Sequence, residues 1–263
     1  MSTSTTGNDG PQIEIDVDLD EGSAVAVVTF SRGTHNYFNY ELLDRLATTL
    51  EGLPSTGARA VVLRTTSRYF CVGADFIGQR GSGTAGPHVY DAVPRLVRAP
   101  LPLVAEVGGA AIGGGLGLAL VADFRVASTS AYFLANFARL GISQGFALSA
   151  TLPRLVGPQF STEMIYTAKR VAGEEALRVG LCDRLVEPED LHRTAVDFAA
   201  EIAKSAPLVV ASARRTLRAD LMDGIEDVLA HERFEQQPLK ATEDFREGNL
   251  AWREKRPPRF RGL

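Results

Sequence analysis

The chain has 263 residues, of which 45% are hydrophobic and 23% are charged. These proportions are ordinary for a globular protein, and the length allows one large domain or one domain with a small appendage. The formal net charge of −4 argues against nucleic acid or an anionic membrane surface as the main partner.

Cysteine content and apolar runs favour a reduced, cytoplasmic protein. Cys71 and Cys182 are too few for a disulfide framework and lack the spacing of metal ligands. Residues 1–10 are polar and lack the apolar core of a signal peptide, and we expect residues 1–12 to be a disordered tail. The longest apolar run, residues 116–122, is far shorter than the roughly 20 residues that span a bilayer. We therefore expect no membrane partner.

The first part of the chain predicts a β-hairpin followed by a helix. Residues 13–18 alternate apolar and acidic side chains, and residues 24–30 form a β-branched run after a Gly-Ser turn. Asn39 or a near neighbour is placed to cap a helix through Leu50, because leucines recur there on one helical face.

Short apolar strands then alternate with helical segments. Residues 60–63, 103–107 and 124–127 predict buried strands, and residues 116–122 predict a short apolar helix between the last two. This alternation indicates an α/β fold with right-handed crossovers.

From Ser161 onward the pattern is almost wholly helical. Apolar residues recur at three- and four-residue spacing over residues 189–204, 208–221 and 225–236. We therefore predict an α/β core over residues 13–195 and a helical segment over residues 196–263.

Three consecutive glycines stand in the segment GGAAIGGGLGLALVADFRVAS, which begins at Gly108. The spacing fits neither a dinucleotide fingerprint nor a phosphate loop. Residues 108–115 predict a tight turn before the helix, and two explanations stay open. The turn can present free N–H groups at a helix N-terminus to a carbonyl oxygen that becomes negative, or the glycines can merely allow close packing on the sheet. A second segment, RYFCVGADFI from Arg68, is also a strand followed by glycine.

These segments resemble the crotonase (enoyl-CoA hydratase/isomerase) superfamily. The resemblance rests on AVVLRTTSRYFCVGADF, PLPLVAEVGGAAIGGGLGLALVADFRVAS, LPRLVGPQ and the tail EKRPPRFRG. It covers nearly all of residues 24–262, and the F-C-x-G-A-D and G-G-G-L motifs are specific at this separation. It implies a spiral of ββα units with a C-terminal helical trimerisation region.

The resemblance also implies a substrate and its binding groups. Family members bind acyl-CoA thioesters and stabilise a thioester enolate with two backbone amides, here those of Ala74 and Gly114. Residues Ala74, Asp75, Phe76 and Ile77 are expected to line the acyl-CoA cleft together with Gly114. No metal or redox cofactor is implied, since coenzyme A arrives as part of the substrate. The expected assembly is a homotrimer or a hexamer.

The family's acidic residues are replaced in this chain. Gly117 and Phe137 stand where hydratases carry two glutamates, and Gly145 stands at a third acidic position of some relatives. Water addition needs a general base and a general acid, and glycine and phenylalanine supply neither. Ordinary two-glutamate hydration is therefore not expected.

Other groups are candidates for proton transfer, and other functions stay open. His88 and His231 lie where certain relatives carry functional histidines. The segment ANFARLG resembles family decarboxylases that also lack the usual acids, so decarboxylation is one alternative. Binding of an acyl-CoA or an acyl carrier without turnover is another.

Overall fold

Two β-sheets form the centre of the structure. The computed structural model describes residues 11–74 and 87–263. Its strands are β1 (Ile13–Asp20), β2 (Val25–Arg32), β3 (Ala60–Arg64), β4 (Leu103–Val107), β5 (Ala110–Ile112), β6 (Phe124–Ser128), β7 (Tyr132–Leu134), β8 (Arg170–Ala172) and β9 (Arg184–Val186). The larger sheet has the order β1-β2-β3-β4-β6-β9 and is parallel apart from the predicted β1–β2 hairpin, and β5-β7-β8 form a second sheet.

Helices surround both sheets and dominate the C-terminal part. They are α1 (Tyr40–Gly52), α2 (Val93–Val97), α3 (Gly114–Val121), α4 (Leu148–Val156), α5 (Pro158–Thr167), α6 (Gly173–Arg178), α7 (Leu191–Ala203), α8 (Pro207–Leu217), α9 (Ala219–Leu239) and α10 (Glu243–Glu254). The predicted cap of α1 is confirmed, because the Asn39 side chain accepts a hydrogen bond from the Leu42 N–H at 2.9 Å. None of the helices in the described ranges has the length and apolar character needed to cross a membrane.

The larger sheet is buried on both faces. On one face α7 packs with Leu191, Ala195, Ala199 and Ala203, whose spacing of four places them on a single helical stripe. The other face contributes to the main core together with α1 and α3. Helix α7 runs through residue 195, where the sequence pattern placed a boundary between core and helical segment.

In two consecutive repeats the chain passes through both sheets before a helix follows. Strand β4 leads to β5 and then α3, and β6 leads to β7 and then to a 3-10 turn, Asn136–Leu140, and α4. The α/β fold of repeated ββα units is thereby confirmed. The prediction of a single tight turn over residues 108–115 is wrong, because Ala110–Ile112 form β5 and pair with β7 in parallel.

The short strands β7, β8 and β9 were not predicted. Each has three residues, too few to display a period of two, and each exists because a neighbouring strand satisfies its backbone. The nearly all-helical assignment after Ser161 is therefore wrong at β8 and β9.

A buried ion cluster fixes the C-terminal helices to the core. Asp123, at the start of β6, accepts hydrogen bonds from Arg214 at 2.8 Å and Arg218 at 2.6 Å. The continuous helix predicted over residues 208–221 is wrong, because α8 ends at Leu217 and α9 begins at Ala219. Arg218 separates α8 from α9 with non-helical dihedrals, and its guanidinium also donates to the Val121 carbonyl.

Candidate active site

Two chain turns meet beside the N-terminus of α3. The Cys71 N–H donates to the Ala110 carbonyl at 3.2 Å, and the Ile112 N–H donates to the Cys71 carbonyl at 2.9 Å. These bonds hold the segment before Gly73 against β5. Gly73 has φ +99°, and a Cβ there would lie 3.4 Å from the Gly114 nitrogen. The two segments that the sequence singled out are thus neighbours in space.

Two backbone N–H groups are left available at this junction. Gly114 is the first residue of α3, where the helix supplies no intrahelical acceptor. Within the described residues, neither the Gly114 N–H nor the Ala74 N–H donates to a protein acceptor. Both residues line the same cavity.

The glycine run also answers a packing requirement. A Cβ on Gly115 would lie 2.0 Å from the Cys71 carbonyl oxygen, and a Cβ on Gly114 would lie 2.5 Å from a ring carbon of buried Phe38. Close packing and an available N–H group therefore occur together at Gly114, and the two explanations from the sequence are compatible.

The junction opens into a cavity of about 110 Å³. Its wall is largely apolar and aromatic, and among the described residues it contains no Asp, Glu or His. The lining residues are Tyr37, Phe38, Val72, Gly73, Ala74, Tyr90, Gly113, Gly114, Asn136, Phe137, Leu140, Ile142, Gln236, Asn249, Trp252 and Arg253. The buried Asn136 amide makes no hydrogen bond within the described chain and is available to a polar substituent.

The three positions that the resemblance assigns to acids have different surroundings. A Cβ on Gly117 would lie 2.6 Å from the Phe146 ring, which is buried there. A Cβ on Gly145 would lie 1.7 Å from the Tyr90 Oη and 2.7 Å from the Gln236 Nε2. Phe137 lines the cavity. Side chains from elsewhere in the chain thus fill the space at two of the three positions.

Tyr90 is held at the cavity wall by hydrogen bonds to its oxygen. Its Oη accepts a hydrogen bond from the Gln236 Nε2 at 3.1 Å, and the Phe146 backbone N–H acts on the same oxygen. The same Nε2 also lies 3.0 and 3.1 Å from the Ser143 and Gln144 carbonyls, so its two N–H groups are shared among three acceptors. Burial raises the pKa of Tyr90, so the phenol is protonated at neutral pH.

A buried carboxylate supports the turn that carries Phe146. Phe146 and Ala147 have φ of 63° and 60°, which is unusual for residues with side chains. Glu232 accepts hydrogen bonds from the Ala147 N–H at 2.8 Å and the Ser149 N–H at 2.9 Å. Burial raises the pKa of Glu232, although the Ser149 and Ala147 hydrogen bonds act in the opposite direction.

The histidine candidates occupy different places. His88 caps the 3-10 turn Val89–Ala92, where its Nδ1 accepts a hydrogen bond from the Tyr90 N–H. Its ring packs edge-on against the Tyr90 ring at 4.9 Å. Burial, with Arg233 and Lys240 nearby, lowers the pKa of His88 to about 4. His231 lies on α9 and is exposed.

Some sequence-derived residues lie outside the described part of the chain, and others were missed. Asp75, Phe76 and Ile77, expected along the acyl-CoA cleft, lie outside the described residues.

The sequence analysis did not single out Glu232 or Gln236. They continue the buried stripe of α9 that includes Ile225 and Leu229, and polar residues within such an apolar stripe were the available signal.

Comparisons with known proteins agree on one family. The enoyl-CoA hydratase/isomerase family matches residues 20–262. The short-chain-enoyl-CoA hydratase of Clostridium acetobutylicum is 31% identical over 249 residues, covering 90% of this chain and 94% of that relative. An enoyl-CoA hydratase/isomerase structure from Pseudoalteromonas atlantica has a TM-score of 0.83 and 28% identity, covering 94% of this chain and 99% of the other.

A methylmalonyl-CoA decarboxylase is also structurally similar. It has a TM-score of 0.80 and 26% identity, covering 96% of this chain and 99% of the other. A methylmalonyl-CoA decarboxylase has also been solved in complex with 2-nitronate-propionyl-CoA, with the same TM-score and identity. From its sequence match and fold, this chain belongs to the enoyl-CoA hydratase/isomerase family of enzymes, the crotonase superfamily.

Proposed function

We propose that the chain binds an acyl-CoA thioester and stabilises its enolate with the backbone N–H groups of Ala74 and Gly114. The supporting observation is that both groups line one cavity and have no acceptor within the described residues. A thioester oxygen placed between them would receive two hydrogen bonds that strengthen as negative charge develops. In other enzymes the loss of one such donor costs about 3 kcal/mol of transition-state stabilisation.

We propose that the chain does not carry out hydration by two acids. The cavity wall contains no carboxylate or imidazole among the described residues, whereas addition of water requires an acid and a base within hydrogen-bond reach. We expect crotonyl-CoA to bind without hydration at the rate of a two-glutamate enzyme.

Decarboxylation of a β-carboxyacyl thioester is a second candidate, favoured by one observation. Loss of CO₂ generates an enolate without removal of a proton, so it needs the two N–H groups but no base. The aromatic wall formed by Phe38, Phe137 and Tyr90 suits the apolar product CO₂. The structural similarity to a methylmalonyl-CoA decarboxylase agrees with this chemistry.

Ligand analogues test the enolate site without altering the protein. Calorimetric titration compares propionyl-CoA, its thioether analogue S-propyl-CoA, and 2-nitronate-propionyl-CoA, which is planar and anionic like an enolate. The thioether is expected to bind about 5–10-fold more weakly, because it lacks the oxygen that accepts both hydrogen bonds. The nitronate is expected to bind at least roughly 100-fold more tightly than propionyl-CoA. Equal affinities for the three ligands would contradict an enolate site.

We also propose that the chain assembles as a trimer or a hexamer through its C-terminal helices. Large apolar side chains are exposed there, with Leu208, Val209 and Leu217 on α8 and Phe234 on α9. Exposed apolar groups of this kind mark contact surfaces. Light scattering on the purified protein measures the assembly, and a monomeric mass would contradict it.

A further inference from the structure

We propose that Tyr90 is a catalytic residue, whose phenolic hydroxyl gives a proton to the α-carbon of the enolate left when a β-carboxyacyl thioester loses CO₂. This inference rests on the proposed enolate site and adds the proton donor and the substrate class. It follows from the position of the Tyr90 oxygen, from the direction of its hydrogen bonds and from the composition of the cavity wall.

The Tyr90 oxygen stands in the space of a missing side chain. It lies only 1.7 Å from where a Cβ on Gly145 would be, and Gly145 occupies one of the three positions that the resemblance assigns to acids. Tyr90 belongs to the turn Val89–Ala92, about fifty residues before Gly145 in the chain. A hydroxyl group from another element thus occupies the place of an acid.

The hydrogen bonds around this oxygen leave its proton free. Gln236 donates to the oxygen, and the Phe146 backbone N–H acts on it in the same sense. Within the described residues, no acceptor receives the Tyr90 O–H. The same two donors would stabilise the phenolate that remains after proton transfer, because N–H groups that are already oriented need no reorganisation.

The step balances in atoms and charge. The bond between the α-carbon and the carboxylate breaks, CO₂ leaves, and the electron pair passes to the thioester oxygen held by Ala74 and Gly114. The enolate then collapses, and its α-carbon forms a C–H bond with the Tyr90 proton. The Tyr90 phenolate regains a proton from solvent, so one proton is consumed for each CO₂ released.

The same features argue against reactions that begin with proton removal. Burial keeps Tyr90 protonated, which makes it a poor base and a permanent donor. The described part of the cavity wall offers no carboxylate or imidazole to take a proton from a substrate. A described wall that offers a donor but no base suits an enolate that arises by loss of CO₂.

The test compares Tyr90→Phe with Tyr40→Phe in the full-length protein. The Tyr40→Phe control also removes a hydroxyl group. The Tyr40 hydroxyl donates to Asp44 at 3.3 Å, and Tyr40 does not line the cavity. The probes are propionyl-CoA for calorimetric affinity and methylmalonyl-CoA for formation of propionyl-CoA. We expect Tyr90→Phe to lower kcat by roughly 10²–10⁴-fold, with propionyl-CoA affinity within about threefold of the unmodified protein, while Tyr40→Phe changes neither.

Each other outcome is decisive. Full activity of Tyr90→Phe overturns the assignment. Binding of propionyl-CoA by the unmodified protein without decarboxylation also overturns it, and leaves the proposed enolate site in place. Failure of the unmodified protein to bind any acyl-CoA overturns the proposed function itself.

Fluorinated tyrosine at position 90 separates proton transfer from a structural role. Fluorination lowers the phenol pKa while the ring and the hydrogen bonds from Gln236 remain. A proton donor predicts that kcat changes progressively with the number of fluorine atoms, whereas a structural hydroxyl predicts no change. This series also decides the matter if Tyr90→Phe does not fold.

Discussion

The two ends of α3 are treated in opposite ways by the rest of the chain. At the C-terminal end Arg218 donates to the Val121 carbonyl, and the neighbouring Asp123 carboxylate is bonded to two arginines. At the N-terminal end the Gly114 N–H has no acceptor within the described residues and faces the cavity. One helix thus has one end tied into the fold, while its other end faces the cavity.

The difference extends to the charges around each end. Buried charged groups cluster beyond the C-terminal end, where Arg125 pairs with Asp183 and the Asp123 carboxylate pairs with Arg214 and Arg218. The cavity wall at the N-terminal end contains the neutral donors Asn136, Tyr90 and Gln236, and Arg253 is the charged group among its described residues. Buried ion pairs thus hold elements together at one end of α3, and we assign the chemistry at the other end to the neutral groups.

Replacing Asp123 is expected to have the largest effect on stability. Asp123→Asn leaves the buried Arg214 and Arg218 without a carboxylate, and unfolding should become easier by about 3–5 kcal/mol. Within the described residues, the Arg214 Nη2 and the Arg218 Nε already lack a hydrogen-bond partner, so there is little to offset the loss. Urea unfolding measures the change.

The matched control for this variant is Asp197→Asn. Asp197 is 68% exposed and lies 3.7 Å from Arg193, so its removal should cost less than about 1 kcal/mol. Folded Asp123→Asn protein should keep its acyl-CoA affinity, since the cavity end of α3 is untouched. Similar stability losses for the two variants would remove the contrast between the ends of α3.

At the cavity end, packing rather than charge is expected to control stability. Gly117→Ala places a Cβ 2.6 Å from the ring of buried Phe146 and should destabilise the fold by about 1–3 kcal/mol. Phe146→Leu should relieve part of that cost in the double variant, because the two side chains occupy the same space. A double-mutant cycle measures the coupling, expected at about 0.5–3 kcal/mol; additive losses would show that the clash is absorbed elsewhere.

Local sequence patterns predicted part of the fold, and contacts between distant segments account for what they missed. The hairpin, the Asn39 cap and the buried strands follow from local periodicity and capping, and these predictions are confirmed. The proximity of Gly73 and Gly114 was expected from the family resemblance, which pairs the amides of Ala74 and Gly114. Strand β5 inside the glycine segment escaped prediction, because its pairing partner Tyr132–Leu134 lies well along the chain.

The cavity's polar groups show the same limit. In the sequence, Gly145 is a position where the family resemblance expects an acid and none is present. Only the structure shows that Tyr90 occupies the space beside it. Gln236 and Glu232 act across sequence separations of about ninety residues, from α9 to the segment before α4. Such contacts carry no local pattern, so the sequence analysis named His88 as a candidate but could not place Tyr90 in the cavity wall.

The smallest expected effect concerns His88, next to the proposed donor. Its pKa in the folded protein is lowered to about 4, chiefly by burial, then by Arg233 and Lys240 and against the opposing influence of Asp91. The unfolded chain takes up a proton near pH 6.5 while the folded chain does not, so the stability present above pH 6.5 is lost as the pH falls towards 4. His88→Asn keeps a side chain suited to the cap and removes the titration. Thermal unfolding at several pH values should show that the melting temperature of the variant rises relative to that of the unmodified protein below pH 6.5. Parallel curves of melting temperature against pH would mean that His88 titrates normally in the fold.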